Sequence, residues 1–276
     1  MRSSISLFVL LLANHILFAQ KEGEKIRINQ IGFYPIEQKL GIVLSEELTD
    51  FYLTPFDKPE RVFSGKLSAS KVASYSPQKT KVADFSAFQS PGTYVLHAGQ
   101  YFSHPFQIKQ LVLAPVAKGA LKSFYFQRFS IPLLEEYAGK WNRPESSSHK
   151  EIIIHPSAVS PKRPAGTMVS STKGWIDAGD YNKYVVNSGI TTATLLSAYS
   201  DFSFYYDTLQ TNIPESKNNL PDILDEVLWN LRWMLTMQDP EDGGVYHKCT
   251  NANFDGMVMP DKATTCLLYT SDAADE

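Results

Sequence analysis

The sequence predicts two domains of different class, an all-β sandwich over residues 24–110 followed by an all-α domain over 111–265. Three observations carry this reading. Short alternating apolar segments, broken by Gly and Pro, run from Ile26 to Ile108. The apolar period changes from two to about 3.6 beyond the junction at Gln110–Pro115. Two long helical patterns then begin at Val185 and Leu220.

The strands come first. IRINQIGFYP alternates and is stopped by Pro35, and KLGIVLSEE and DFYLTPFD continue the pattern up to Pro55 and Pro59. VFSGKL, KVADFSAF, GTYVLHAG and HPFQIK follow, with Gly65, Pro77, Pro91-Gly92 and Gly99 as turn residues. Several short strands at near-regular spacing fit a sandwich. Past the junction, Val116, Ala120, Leu121, Phe124 and Tyr125 share one face of a helix that ends near Phe129. Pro132 opens a short helical piece, LLEEYAG, which Gly139 stops. Lys140–Thr172 is a long loop rich in Pro, Ser and Lys, a length that usually accompanies function.

Val185–Tyr206 is predicted as one helix with Ile190, Ala193, Leu196 and Phe202 on its apolar side. The next helix has Pro221 and Asp222 in its first turn, where both are favoured. Ile223, Leu224, Val227, Leu228, Leu231, Met234 and Leu235 keep helical spacing. Trp229 and Trp233 are i,i+4 neighbours expected to pack in the core, and Asp225 and Glu226 are expected on the helix surface or between helices. Asp239–Gly244 supplies a glycine-rich stop.

The 276 residues are 43% hydrophobic with a net charge of −3, which suits a globular protein. No basic stripe exists on which nucleic-acid binding could rest. The 14 Tyr and 16 Phe suit carbohydrate binding and an ordinary core alike. Residues 1–19 have the form of a secretory signal, with Arg2, the apolar run Ile5–Leu12, and Ala19 before Gln20. A secreted or periplasmic location is therefore expected. Asn14 and His15 interrupt the run, so no membrane span is expected. Cys249 and Cys266 are the only cysteines, so there is no disulfide framework.

The chemistry is concentrated in GWIDAGDYNKYV, Gly174–Val185. Asp177 and Asp180 lie three residues apart with only Ala178 and Gly179 between them. Gly174 allows a sharp or positive-φ turn. Two acids on such a turn can converge on one water molecule. Trp175 and Tyr181 flank them, and an aromatic ring beside polar groups matches the apolar face and hydroxyl rim of a pyranose. The alternative is that both acids simply cap a turn and the start of a helix.

GWIDAGDYNKYV closely resembles the GW-x-DAGD-x-x-K signature of glycoside hydrolase family 9, the endoglucanase-type inverting cellulases. LPDILDEVLWNLRWMLTMQDPEDGGVYHKCT, Leu220–Thr250, is similar to that family's helix and the Gly-Gly-x-Tyr-His-Lys segment after it. Lys25–Lys109 is similar to the immunoglobulin-like module that precedes the catalytic domain in one branch. The resemblance implies an immunoglobulin-like sandwich followed by part of an (α/α)6 barrel acting on β-1,4-glucan. It implies Asp180 as general base and Asp177 as the residue that orients the water. Trp175, Tyr181, Lys183, Tyr246 and His247 are the candidate substrate-binding residues. For Tyr246 and His247, turn packing is an equal alternative. Lys183 is alternatively a neutraliser of the aspartates. The general acid of the family is a later glutamate to which no position here corresponds. No cofactor is implied. Some relatives hold a metal in the loop region, but Phe129-Ser130 and Ser148-His149 stand where its cysteines would be, and His149 and His155 alone do not make a zinc site. No metal site is therefore expected.

The last stretch, CLLYTSDAADE over 266–276, reads as an in-frame translation of a common sequencing adapter. It is expected to be a non-native tail, and the chain as written is expected to be inactive by itself. Exo-action on cello-oligosaccharides or glucosaminides, and non-catalytic glucan binding, remain the alternatives to endo-hydrolysis.

Overall fold

The computed structural model describes residues 23, 25–72, 74–146, 149–253, 255–256, 258–264 and 266–269. The expected signal segment and residues 270–276 of the tail lie outside the described residues. The chain divides into two compact units, Met1–Pro115 and Val116–Glu276, close to the expected junction.

Strands in the first unit run β1 Ile26–Arg27, β2 Leu40–Val43, β3 Asp50–Pro55, β4 Phe63–Lys66, β5 Lys71–Val72, β6 Lys79–Asp84, β7 Gly92–Ala98, β8 Tyr101–Phe102 and β9 Phe106–Ile108. They form one sheet in the order β1-β2-β6-β5 and a second in the order β4-β3-β7-β8, with β9 also on β7. All these ladders are antiparallel. Alternation places Val43, Phe51, Leu53, Ala83, Leu96 and Phe106 in one buried core. Phe33, Phe85 and Phe106 close its centre, with ring centroids 5.3–5.6 Å apart. Gly65 is not a turn residue as expected. It sits inside β4 opposite Phe51, and a Cβ there would lie 2.6 Å from that ring.

The second unit contains helices α1 Ala114–Phe126, α2 Glu135–Ala138, α3 Val185–Tyr206 and α4 Asp222–Thr236. It also contains strands β10 Ile152–Ile154, β11 Met168–Val169, β12 Lys183–Tyr184, β13 Lys248–Thr250 and β14 Leu267–Tyr269, in the sheet order β11-β10-β14-β13-β12. The expectation of an all-α second domain is therefore corrected. Each of these strands is two or three residues long. That is too short for a period of two to register in the sequence. The β10–β14 ladder is parallel and joins segments more than a hundred residues apart in the chain.

The helices keep their expected positions but not all their expected faces. In α1, Leu121 and Tyr125 are buried while Val116 is exposed. In α3 the buried side is Ser188 and Thr192, whereas Ile190, Leu196 and Phe202 are exposed. The reason is a polar seam with α4. Ser188 Oγ donates to Asn230 Oδ1 at 2.8 Å, and Asn230 Nδ2 donates to Thr192 Oγ1 at 3.0 Å. One fully buried carboxamide thus pairs with two hydroxyls, satisfying groups that would otherwise make the contact unfavourable. Of the two places expected for Asp225 and Glu226, the helix surface is ruled out, since both are buried in α4. Among the described residues, no helix is long and apolar enough to cross a membrane.

Asn230→Ala should leave both hydroxyls without their partner and lower stability by about 1–3 kcal/mol. Urea unfolding followed by tryptophan fluorescence checks this, because Trp141, Trp175, Trp229 and Trp233 all lie in the second unit. A midpoint equal to that of the parent protein would contradict the seam.

Candidate active site

The DAGD turn is built from the segment Ser171–Tyr184, laid across one side of α4. Three indoles tie it down. Trp233 Nε1 donates to Ser171 Oγ at 2.9 Å, Trp229 Nε1 donates to Gly174 O at 3.0 Å, and Trp175 Nε1 donates back to Glu226 Oε2 at 3.1 Å. Trp229 and Trp233 lie one turn apart, so their N–H groups meet successive parts of the segment. Lys173 and Gly174 both have positive φ, 66° and 73°. A Cβ on Gly174 would lie 2.7 Å from the Trp233 ring. Glycine is therefore required both by the backbone conformation and by the close approach. On the other side, Ile176 N–H donates to Gln127 O at 3.0 Å, and Trp175 bridges Arg128.

Beneath Trp175 lies a buried charge cluster. Arg128 has no exposed surface. Its Nη2 is 3.2 Å from Glu226 Oε1, and its Nη1 donates to Glu215 Oε1 at 2.9 Å. Its Nε also donates to Glu226 Oε2 at 3.2 Å, the oxygen that receives the Trp175 indole. Burial raises the Glu226 carboxyl above the ordinary glutamate value, and the Arg128 charge and its hydrogen bonds oppose that rise.

Past Ile176 the chain emerges. Asp177, Ala178 and Gly179 are exposed and Asp180 is half-buried. Neither carboxylate points into the interior. Asn187 Nδ2 donates to Asp177 Oδ1 at 3.3 Å. Asn182 donates its backbone N–H to Asp180 Oδ1 at 3.3 Å and its Nδ2 to Asp180 Oδ2 at 3.0 Å. Both acids face the Tyr184 phenol, whose ionisation is pushed up by burial and then by the charges of Asp180 and Asp177. A cavity of about 240 Å³ opens beside Asp177. Asp177, Trp175, Phe124, Tyr184, Asn187 and Gln127 line it. Trp175 is largely buried and offers that cavity only part of its ring, which packs on Phe124 at 4.7 Å.

Asp177 and Trp175 line one cavity and Asp180 shares the Tyr184 phenol with Asp177, whereas the other expected residues are engaged elsewhere. Lys183 is the clearest departure. Its side chain has no exposed surface, and its Nζ donates to Ser171 O at 2.6 Å and Lys173 O at 2.9 Å. It neither reaches substrate nor neutralises the aspartates. It clamps the approach to the turn. Tyr181 stacks on Phe129 at 5.1 Å and donates its hydroxyl to Val258 O at 2.7 Å. Tyr246 is buried with its hydroxyl on Asp239 Oδ2 at 2.8 Å, the turn-packing alternative. His247 is half-buried, and its carbonyl accepts the Val185 N–H at 2.9 Å. Asn182, Tyr184 and Asn187 were missed. They stand within the motif or one turn beyond it, and proximity to the acids was the signal that could have found them.

The expectation of no metal site considered the 140–172 loop alone, whereas the fold also brings Cys249 and Cys266 to His149. The three are buried and their ligand atoms lie within 4.8 Å of one another. Cysteine and histidine suit zinc, but a closed structural site takes four ligands, and Cys266 opens the stretch expected to be non-native. No metal is assigned to this cluster. Burial, with the Lys183 charge adding, holds His149 well below the ordinary histidine value.

Lys183 gives a pH prediction. Burial lowers its pKa from 10.5 to about 8. Between these values the unfolded chain holds a proton that the native chain has lost, so stability rises with pH. Relative to Lys183→Met, the parent protein should gain about 1.4 kcal/mol per pH unit from about pH 8 to 10.5. Denaturant titrations across that range check it, and a constant difference would contradict the buried ammonium.

Comparison with known proteins bears on this geometry. Residues 114–273 match the family model for glycosyl hydrolase family 9, and residues 21–103 match the cellulase N-terminal ig-like domain. The chain is 49% identical over 238 residues to a xyloglucan-specific endo-beta-1,4-glucanase of Bacteroides ovatus, covering 86% of this chain and 40% of that relative. It is 34% identical over 239 residues to endoglucanase D of Acetivibrio thermocellus, covering 86% and 37%. A solved Bacteroides ovatus GH9 structure superposes with a TM-score of 0.85 at 47% identity, over 90% of this chain and 45% of that one. A metagenome-derived family 9 endoglucanase gives 0.79 at 30% identity, over 89% and 46%. The chain thus spans less than half the length of these relatives. It belongs to glycosyl hydrolase family 9, and it carries the N-terminal immunoglobulin-like domain found in cellulases of that kind.

Proposed function

We propose that this chain carries the water-activating side of a secreted, inverting endo-β-1,4-glucanase. The observation that supports it most is the solvent-facing pair Asp177 and Asp180, on a turn held by buried donors and bordered by the Trp175 cavity. Inversion requires a base on one face of the sugar and an acid on the other, with carboxyl groups about 6.5–9.5 Å apart. Acids only three residues apart on one turn serve one face. Asp180 accepts the proton of the attacking water, and Asp177 orients that water. The acid of the family is a glutamate to which no position of this chain corresponds. The part of the Trp175 ring that reaches the cavity, with Phe124 against it, supplies an apolar surface for the face of a glucosyl ring.

The substrate is a β-1,4-linked glucan. The Bacteroides ovatus relative, named as xyloglucan-specific, favours a branched glucan over plain cellulose. In the full-length gene product, Asp180→Asn should lower hydrolysis by about 10²–10⁴-fold while leaving the melting temperature unchanged. Asp177→Ala should cost less. Reducing-end release from xyloglucan should exceed that from carboxymethylcellulose. Near-normal turnover by Asp180→Asn would overturn the assignment of the base, and glucan binding without release of reducing ends would favour a binding protein.

A further inference from the structure

One residue contacts both acids of the motif, Asp180 through its side chain and N–H and Asp177 through its backbone carbonyl. Asn182 has no exposed surface. Its carbonyl accepts the Asp177 N–H at 2.8 Å. Its own N–H and its Nδ2 both donate to Asp180, one to each carboxylate oxygen. Its Oδ1 accepts the Asn251 N–H at 3.1 Å. That last contact fixes the orientation of the carboxamide. A backbone N–H can only donate, so Oδ1 must face Asn251, and Nδ2 is left to face Asp180.

We propose that Asn182 is the positioning residue of the acid pair, setting the carboxylate of Asp180 and the backbone of Asp177 in one register. The inference rests on the glucanase reading of these acids. The chemistry needs a neutral donor here. A cation would hold the base in an ion pair, and a second carboxylate would bring like charges together. An alanine would free the Asp180 rotamer and leave the Asn251 N–H without its partner. The ionisable groups that share this space with Asp180 are Asp177, the Tyr184 phenol, which the Asn182 side chain also meets, and the Cys266 thiol, 3.8 Å from Asn182 Oδ1.

Asn182→Asp tests this in the full-length protein. It keeps the acceptor for Asn251 and replaces the donor facing Asp180 by a carboxylate oxygen. On soluble β-glucan, kcat should fall about 10²-fold with KM within twofold. The acid limb of the kcat profile should move up by at least one pH unit, because two adjacent carboxyls do not both ionise freely. A kcat within threefold of the parent and an unmoved acid limb would overturn the proposal. A second measurement needs no folded variant at position 182. In the parent protein labelled at asparagine with ¹⁵N, the Asn182 carboxamide resonance should shift with pH through a carboxylate titration. A resonance insensitive to pH would also overturn it. A parent protein that hydrolyses no β-glucan would instead sink the glucanase reading, so the two failures are distinguishable.

Discussion

The contact between Gly174 and the Trp233 ring constrains everything around it. With 2.7 Å between the position of a Cβ and that ring, the motif backbone rests directly on α4. That contact sets the path of the chain from Ser171 to Trp175. Once the path is set, the Trp229 and Trp233 N–H groups find acceptors in the segment and the Trp175 N–H finds Glu226. Lys183 adds two bonds from the other direction. The turn bearing the acids is exposed, but its base is anchored by buried groups whose release would leave polar atoms unpaired.

The electrostatics divide into two layers. Below the turn, Arg128 is balanced by Glu226 and Glu215 in a buried cluster, where loss of one partner leaves an uncompensated charge. Above it, Asp177 and Asp180 are held by the carboxamides of Asn187 and Asn182. Among the described residues, no ion pair engages either aspartate. Neutral donors orient a carboxylate without tying its charge to a fixed cation, which suits the base role proposed for Asp180.

Much of this was legible in the sequence. Alternation in VFSGKL and GTYVLHAG located the sandwich, and the change of period located the junction. Asp177 and Trp175 were legible as neighbours because a short motif on one turn brings its own members together, and both line one cavity. The rest depended on long-range contacts. Ser188 and Thr192 form the inner side of α3 only because Asn230 faces them across the helix pair. Lys183 looked like a charge near two acids, yet buried carbonyls compete for it more effectively than an exposed turn. For Asp225 and Glu226 the choice between the helix surface and a place between helices stayed open, because their partners lie outside the helix, Arg128 for Glu226 and Asn218 for Asp225. The short strands of the second unit had too few residues to show a period.

The acid-bearing turn is held in place by the protein's own buried contacts. Amide hydrogen exchange at Asp177 tests it most directly, because that exposed residue donates its N–H to the buried Asn182 carbonyl. A preorganised turn predicts exchange at least about 10²-fold slower than for an unstructured peptide, reflecting local opening that costs several kcal/mol. Exchange at the unstructured rate, in a protein whose α4 amides are protected, would contradict it.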